Sequence, residues 1–194
     1  MNGSNLNIYV SGVGGFGIGS VTRILSSAAQ IKGWKAIGSE THGLAQRGGV
    51  VISTLRIGQD IEGSPLIIKG EANIVVALEP LEALRSMPFL KRNGVIIYNT
   101  QRFQPLAVRL GMADYPSLDA IKLELEKVTN RVIPVDASAK AKQLGLSESA
   151  NVILLGRLTR EKALPFDMET MIEAVRQTTP PQYIDINIKA LDVG

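Results

Sequence analysis

The sequence contains no cysteine. Disulfides, thiolate nucleophiles and cysteine-held iron–sulfur clusters are therefore excluded from this chain. Histidine occurs once, as His42, and aromatic residues make up only 5%. Lys and Arg form no block; Lys91-Arg92 and the scattered basic residues read as a solvated surface. With a formal net charge of +3, no nucleic-acid partner is expected. No apolar run reaches about 18 residues and no secretory h-region follows Met1, so a cytoplasmic protein with no membrane contact is expected. What is present is an ordinary globular composition, 45% hydrophobic and 20% charged over 194 residues. That length suits one domain, residues 1–194, with a full hydrophobic core. There is no internal repeat, low-complexity linker or composition shift that would divide it.

One stretch organises the chain: Ser11-Gly12-Val13-Gly14-Gly15-Phe16-Gly17. The apolar run Leu6 to Val10 before it predicts a buried strand. Ile18, Val21, Ile24, Leu25, Ala28 and Ile31 behind it recur at helical spacing. Gly12, Gly14 and Gly17 match G-x-G-x-x-G on that strand-to-helix turn, and Gly15 lies within it. Glycine tolerates positive φ and lets a backbone approach closely. The helix that follows points free N–H groups at the turn, which favours anions. Two readings stay open: a dinucleotide or phosphate site, or the first crossover of a doubly wound sheet with glycines for tight packing. Trp34 to Glu40 predicts a second strand, and its terminal Glu40 stands where an acid binds a ribose hydroxyl in dinucleotide folds.

Thr41 to Gly49 concentrates glycine with His42, Gln46 and Arg47 between two apolar strands. Histidine can donate, accept or titrate near neutral pH, and arginine offers a fork matched to carboxylate or phosphate. Glu40, His42, Gln46, Arg47, Gly48 and Gly49 are read as a functional or interface loop, against the simpler reading that Arg47 pairs with Glu40 and the loop only turns the chain.

The remainder alternates strands and helices. Val50–Ile57 reads as a strand and Ser64–Ile68 as a short extended piece. Asn73–Leu78 reads as a strand covered on both faces. Glu79 follows it, a possible site at the carboxyl edge of the sheet, and Pro80 opens a helix to Met87. Asn93-Gly94 predicts a turn into the strand Val95–Asn99; Gln101–Tyr115 is irregular. Pro116–Val128 is helical, and Arg131–Val135 is an edge strand because Pro134 cannot donate to a ladder. Asp136 caps a helix that Gly145 ends. Ser149–Leu158 is an apolar helix, and Asp167 starts another through Arg176. Tyr183–Val193 fits strand and helix equally. The order gives an α/β fold: a three-layer α/β/α sandwich, Rossmann-like, with a largely parallel sheet.

Gly12-x-Gly-Gly-x-Gly17, Ser39-Glu40-x-His42-Gly43-x-Ala45-Gln46-Arg47-Gly48-Gly49, Ser64-Pro65-Leu66-Ile67 and Ala77 to Ala83 together resemble the small, beta/gamma-type subunit of 2-oxoacid:ferredoxin oxidoreductases. The His-Gly-x-Ala-Gln-Arg-Gly-Gly form is most similar to the beta subunit of the indolepyruvate enzymes; the gamma subunits of the pyruvate and 2-oxoglutarate enzymes usually carry Tyr-Gly-Pro-Glu there. Phe16 stands where the family commonly has glutamine, which removes a polar group from the turn. The resemblance implies a gamma-type domain in a complex that converts an arylpyruvate and coenzyme A to acyl-CoA, CO2 and reduced ferredoxin. It places thiamine diphosphate, magnesium and iron–sulfur clusters on a large alpha subunit, with ferredoxin as electron acceptor. It implies no cofactor, no metal and no catalytic residue on this chain, which would complete the active-site wall from outside. A gamma subunit of the pyruvate or 2-oxoglutarate enzyme is an alternative. So are a free-standing dinucleotide-binding protein or NAD-dependent dehydrogenase, and an accessory scaffold with a vestigial site.

Overall fold

The computed structural model describes residues 5–40 and 49–194. His42, Gln46, Arg47 and Gly48 lie outside the described residues. The chain opens with strand β1 (Leu6–Val13), helix α1 (Ile18–Ile31) and strands β2 (Lys35–Glu40) and β3 (Val50–Gly58). Strand β4 (Ala72–Ala77) leads through helix α2 (Pro80–Ser86) to strand β5 (Leu90–Asn99). Short α3 (Leu106–Arg109), helix α4 (Leu118–Glu126) and strand β6 (Val132–Val135) follow. Four helices close the chain: α5 (Ala137–Leu144), α6 (Ala150–Arg160), α7 (Met168–Thr178) and α8 (Ile184–Val193).

The strands form one six-stranded sheet in the order β2-β3-β1-β4-β5-β6. The ladders β1/β4, β4/β5 and β5/β6 are parallel; β1/β3 and β2/β3 are antiparallel. The sheet is thus mostly parallel, with β3 alone reversed and wedged between β1 and β2. Its register along β1 is continuous from Leu6↔Ile57 to Val13↔Val50.

Side-chain alternation sorts the residues into two layers. Ile8, Val10, Ile74, Val76, Val95 and Ile97 face α1 and α5–α8. Tyr9, Val75, Ala77, Ile96 and Tyr98 face α2 and α4. The three-layer sandwich predicted from the sequence is the observed architecture.

Three local outcomes differ from the sequence pattern or resolve it. Asn93-Gly94 does not start β5 but lies inside it, at a register shift opposite Ala72 and Ile74; Asn93 takes φ 64° to make the bulge. Ser64–Ile68 joins no ladder; the Arg56 guanidinium holds it by donating to the Glu62 and Ser64 carbonyls at 3.3 and 2.8 Å. The ambiguous tail is helix α8, because α6 offers it a glycine. A Cβ at Gly156 would lie 2.1 Å from the Leu191 carbonyl oxygen, so the two backbones meet where no side chain fits. Ala190 and Leu191 are fully buried there.

Capping follows the sequence. Asp136 Oδ1 accepts from the Ala139 amide at 3.2 Å, and Gly145 ends α5 at φ 89°. Asp167 Oδ1 accepts from the Thr170 amide at 2.9 Å and from its hydroxyl, while Oδ2 accepts from Lys32 Nζ at 3.1 Å. These contacts, the Thr170 hydroxyl foremost, hold the Asp167 carboxyl down at about 2.

Two outcomes follow from this packing. Gly156→Ala should lower unfolding free energy by about 2–3 kcal/mol, read as a lower urea midpoint, because the new methyl collides with backbone. The Asp167 cap is stabilising above the ordinary carboxylate range and is lost as pH falls from about 4 through about 2. Asp167→Asn should therefore flatten the acid-unfolding curve in that window; superimposable curves would show that the cap is uncoupled from folding.

Candidate functional site

The apolar run of β1 ends at Val13, and the glycine turn carries the chain into α1. Gly15 and Gly17 take φ 96° and 77°, conformations that side-chain-bearing residues rarely adopt. The Phe16 amide donates to the Val13 carbonyl at 3.1 Å, and the Gly14 amide to Gly49 at 2.8 Å. The turn is held from the opposite side by α6. The Asn151 side-chain amide donates to the Phe16 and Gly17 carbonyls at 2.7 and 3.1 Å. A Cβ on Gly17 would sit 2.8 Å from that nitrogen. Gly12 lies against Leu78, whose Cβ would be 3.0 Å from an added methyl.

These elements enclose a cleft of ≈ 490 Å³ at the carboxyl edge of β1, β4 and β5, lined by Gly15, Phe16, Leu78, Asn99, Ser138 and Asn151 among others. Asn99 and Ser138 lock each other: Asn99 Nδ2 donates to the Ser138 hydroxyl at 2.8 Å, and the Ser138 amide to Asn99 Oδ1 at 3.3 Å. At the rim Phe16 meets Phe103 edge to face, with centroids 5.2 Å apart. Among the described lining residues Glu148 is the one carboxylate, and no histidine, lysine or arginine joins it. Such a wall can orient a bound group through amides and hydroxyls; it holds no nucleophile paired with a base.

Glu40 arrives at the same turn from β2. Its carboxylate and the Arg23 guanidinium both lie over Gly19, since a Cβ there would be 3.1 Å from Glu40 Oε1 and 3.2 Å from Arg23 Nη1. A second cleft, ≈ 390 Å³, runs between this pair and Gly14, Gly15 and Gly17. The structure thus brings together Gly12, Gly14, Gly15, Gly17, Glu40 and Gly49.

Glu79 is on the α2 side of the sheet and is 1% exposed. Its Oε2 accepts from the Leu81 and Glu82 amides at 2.7 and 3.1 Å, capping α2. Its Oε1 accepts from the Phe103 amide at 3.2 Å and from the Tyr115 hydroxyl. Burial, then the Glu79 carboxylate, pushes the Tyr115 phenol above its ordinary range. Glu79 thereby ties α2 to the 101–115 segment.

A family model described as pyruvate ferredoxin/flavodoxin oxidoreductase matches residues 7–194. The chain belongs to this family. A relative from Archaeoglobus fulgidus, named indolepyruvate oxidoreductase subunit IorB, is 46% identical over 97% of this chain and 93% of its own length. A protein of the same name from Pyrococcus horikoshii is 38% identical over the same shares. The fold matches the crystal structure of pyruvate oxidoreductase subunit PORC from Thermotoga maritima with a TM-score of 0.68, at 21% identity, over 96% of this chain and 93% of that one. It also matches a keto/oxoacid ferredoxin oxidoreductase gamma subunit from Geobacter sulfurreducens, with a TM-score of 0.67 at 22% identity over 97% and 95%.

Within this oxidoreductase family fold, two residues of the site escaped the sequence reading. Asn151 is the one polar side chain in the first two turns of α6, Ala150 to Gly156, and that mismatch is the signal that marks it. Glu82 follows Glu79 by one helical turn and is 2% exposed, its Oε1 paired with Arg85. Burial raises the Glu82 carboxyl above its usual range, and Arg85 opposes the rise. Burial together with the Glu82 charge pushes the Tyr9 phenol up to about 12.

Glu79→Ala should cost about 2–4 kcal/mol in urea unfolding, from the lost cap and two donors left without an acceptor. A cost below about 0.5 kcal/mol would contradict the joint assigned to this carboxylate.

Proposed function

We propose that this chain is the small subunit of an indolepyruvate (arylpyruvate):ferredoxin oxidoreductase, and that its carboxyl edge completes the active-site wall of a large partner subunit. The observation that carries the proposal is the similarity to proteins named IorB over nearly the whole of both chains, at up to 46% identity. The cleft supports it in kind: amides, hydroxyls and an aromatic rim suit orientation of a bound group, and Glu148 is the one carboxylate among its described lining residues.

The reaction so assigned joins an arylpyruvate with coenzyme A, releases CO2 and passes the electrons to ferredoxin. Thiamine diphosphate, on this reading, supplies the carbanion chemistry from the large subunit, which also houses magnesium and the iron–sulfur clusters. The residues of this chain do not fit those groups. Cysteine is absent, and the sequence has no Gly-Asp-Gly with a distant Asn for a diphosphate-bound metal. Among the described residues no three His, Asp or Glu side chains are grouped around a metal position. This chain's part is positional. The Asn151 clamp fixes the glycine turn, and the turn, Asn99 and Ser138 present hydrogen-bonding groups toward the partner. His42 and Arg47 are assigned to the same interface from the sequence alone. Among the described residues no helix is long and apolar enough to cross a membrane.

A second reading, a free-standing dinucleotide-binding protein, draws on Glu40 over the first turn of α1. Co-expression with the large subunit separates the two. The expected result is co-purification and reduction of ferredoxin by indolepyruvate and coenzyme A, with the lone chain inactive and silent in calorimetric titration with NAD. Micromolar dinucleotide binding by the lone chain, or turnover of a 2-oxoacid without a partner, would overturn the proposal.

A further inference from the structure

The cleft at the carboxyl edge offers two unlike features to one bound group. The first is aromatic. Phe16 and Phe103 meet edge to face, and each stands on a fixed base: Asn151 holds the Phe16 carbonyl and Glu79 holds the Phe103 amide. Leu78 and Ala150 add apolar surface to the same cleft. A third ring laid against such a pair gains apolar burial and an edge-to-face or offset contact, with little ordering cost on the protein side.

The second feature is a single acceptor. Glu148 lies in the short 3-10 turn Ser147–Ser149 that leads into α6. It precedes Asn151 by three residues, so the carboxylate and the amide that clamps the glycine turn share one side of that turn. Glu148 is exposed, lines the cleft, and makes no hydrogen bond or ion pair among the described residues. Its oxygens are thus accessible and uncommitted. A carboxylate accepts and cannot donate; an indole carries one N–H, which donates and cannot accept, on a flat apolar body. The ≈ 490 Å³ of the cleft falls within the usual range for small-molecule sites.

We propose that this cleft seats the aryl side chain of the 2-oxoacid, its ring against Phe16 and Phe103 and its indole N–H donated to the Glu148 carboxylate. The 2-oxoacid end is left at the opening, toward the large subunit. The proposal rests on the indolepyruvate reading and deepens it: Glu148 distinguishes an indole from a phenyl ring, and Phe16 an aryl from an alkyl chain.

The test uses the assembled complex with ferredoxin, as wild type, Glu148→Ala, Glu148→Gln and Phe16→Leu, on indolepyruvate, phenylpyruvate and 4-methyl-2-oxopentanoate. Phenylpyruvate keeps a ring without the N–H, and the alkyl acid has no ring. Glu148→Ala should lower the ratio of kcat/KM for indolepyruvate over phenylpyruvate about tenfold, chiefly through KM. Glu148→Gln, whose amide oxygen still accepts, should restore part of that ratio. Phe16→Leu should lower kcat/KM for both aryl acids about fivefold relative to the alkyl acid. Either ratio left at its wild-type value overturns the proposal. So does an equal loss on all three acids, because a role in assembly or in holding the turn acts on every substrate alike. A wild-type complex that oxidises neither aryl acid removes the indolepyruvate reading itself, and this proposal with it.

Discussion

The bond pair from Asn151 to the glycine turn is the constraint on which the carboxyl edge depends. A turn with two residues at positive φ has no repeating hydrogen-bond ladder to keep it in place. The Gly17 carbonyl takes the Ser20 amide and hydroxyl at 3.0 and 2.6 Å, while the Phe16 carbonyl looks to another helix for its donor. Asn151 donates to both carbonyls from one side-chain amide, at 2.7 and 3.1 Å, and the 2.8 Å approach to Gly17 leaves no room for a methyl. One residue on a distant helix thus ties α6 to the turn that leads into α1, alongside the Gly49 and Ser20 contacts that hold the same turn.

The reversed strand β3 works with that clamp. It runs antiparallel along the whole of β1 and delivers Gly49 to the turn, where its carbonyl takes the Gly14 amide. In a fully parallel sheet the neighbour of β1 would bring its amino end to the opposite edge. Here both ends of the Thr41–Gly48 segment, Glu40 and Gly49, stand at the carboxyl edge beside the glycine turn. On the other layer Glu79 binds α2, the Phe103 amide and Tyr115 together, so Phe103 reaches the rim from a fixed base. Both layers thus converge on one edge: amides and hydroxyls on the α6 side, buried carboxylates on the α2 side.

The sequence made legible whatever is decided locally. The glycine turn, the Asp136 and Asp167 caps, the Gly145 stop and the Pro134 edge strand each rest on neighbours within a few residues, and each is where the pattern put it. Placement of β3 was not legible, because strand order depends on pairings between residues far apart in the chain. Asn93-Gly94 has turn chemistry, yet the ladder with β4 absorbs it as a bulge. Two alternating patterns compete in the tail, and Gly156 on another helix decides between them. At the site, the glycine turn, Glu40 and Gly49 lie together at one edge of the sheet. Glu79 proved to be an internal cap whose oxygens are engaged. Asn151 and Glu82 gave only the faint signal of polarity among apolar neighbours, since their roles come from what packs against them.

On the proposed reading, the carboxyl edge of this sheet is covered by a partner that carries the reactive groups. Hydrogen–deuterium exchange of the chain with and without the large subunit tests it most directly. Protection on binding is expected in peptides covering Gly12–Ser20, Gly49–Ile52 and Gln101–Pro105, with little change at the amino edge around Gly58–Ile68. Protection confined to the amino edge, with the glycine turn exchanging at its free rate in the complex, would contradict it.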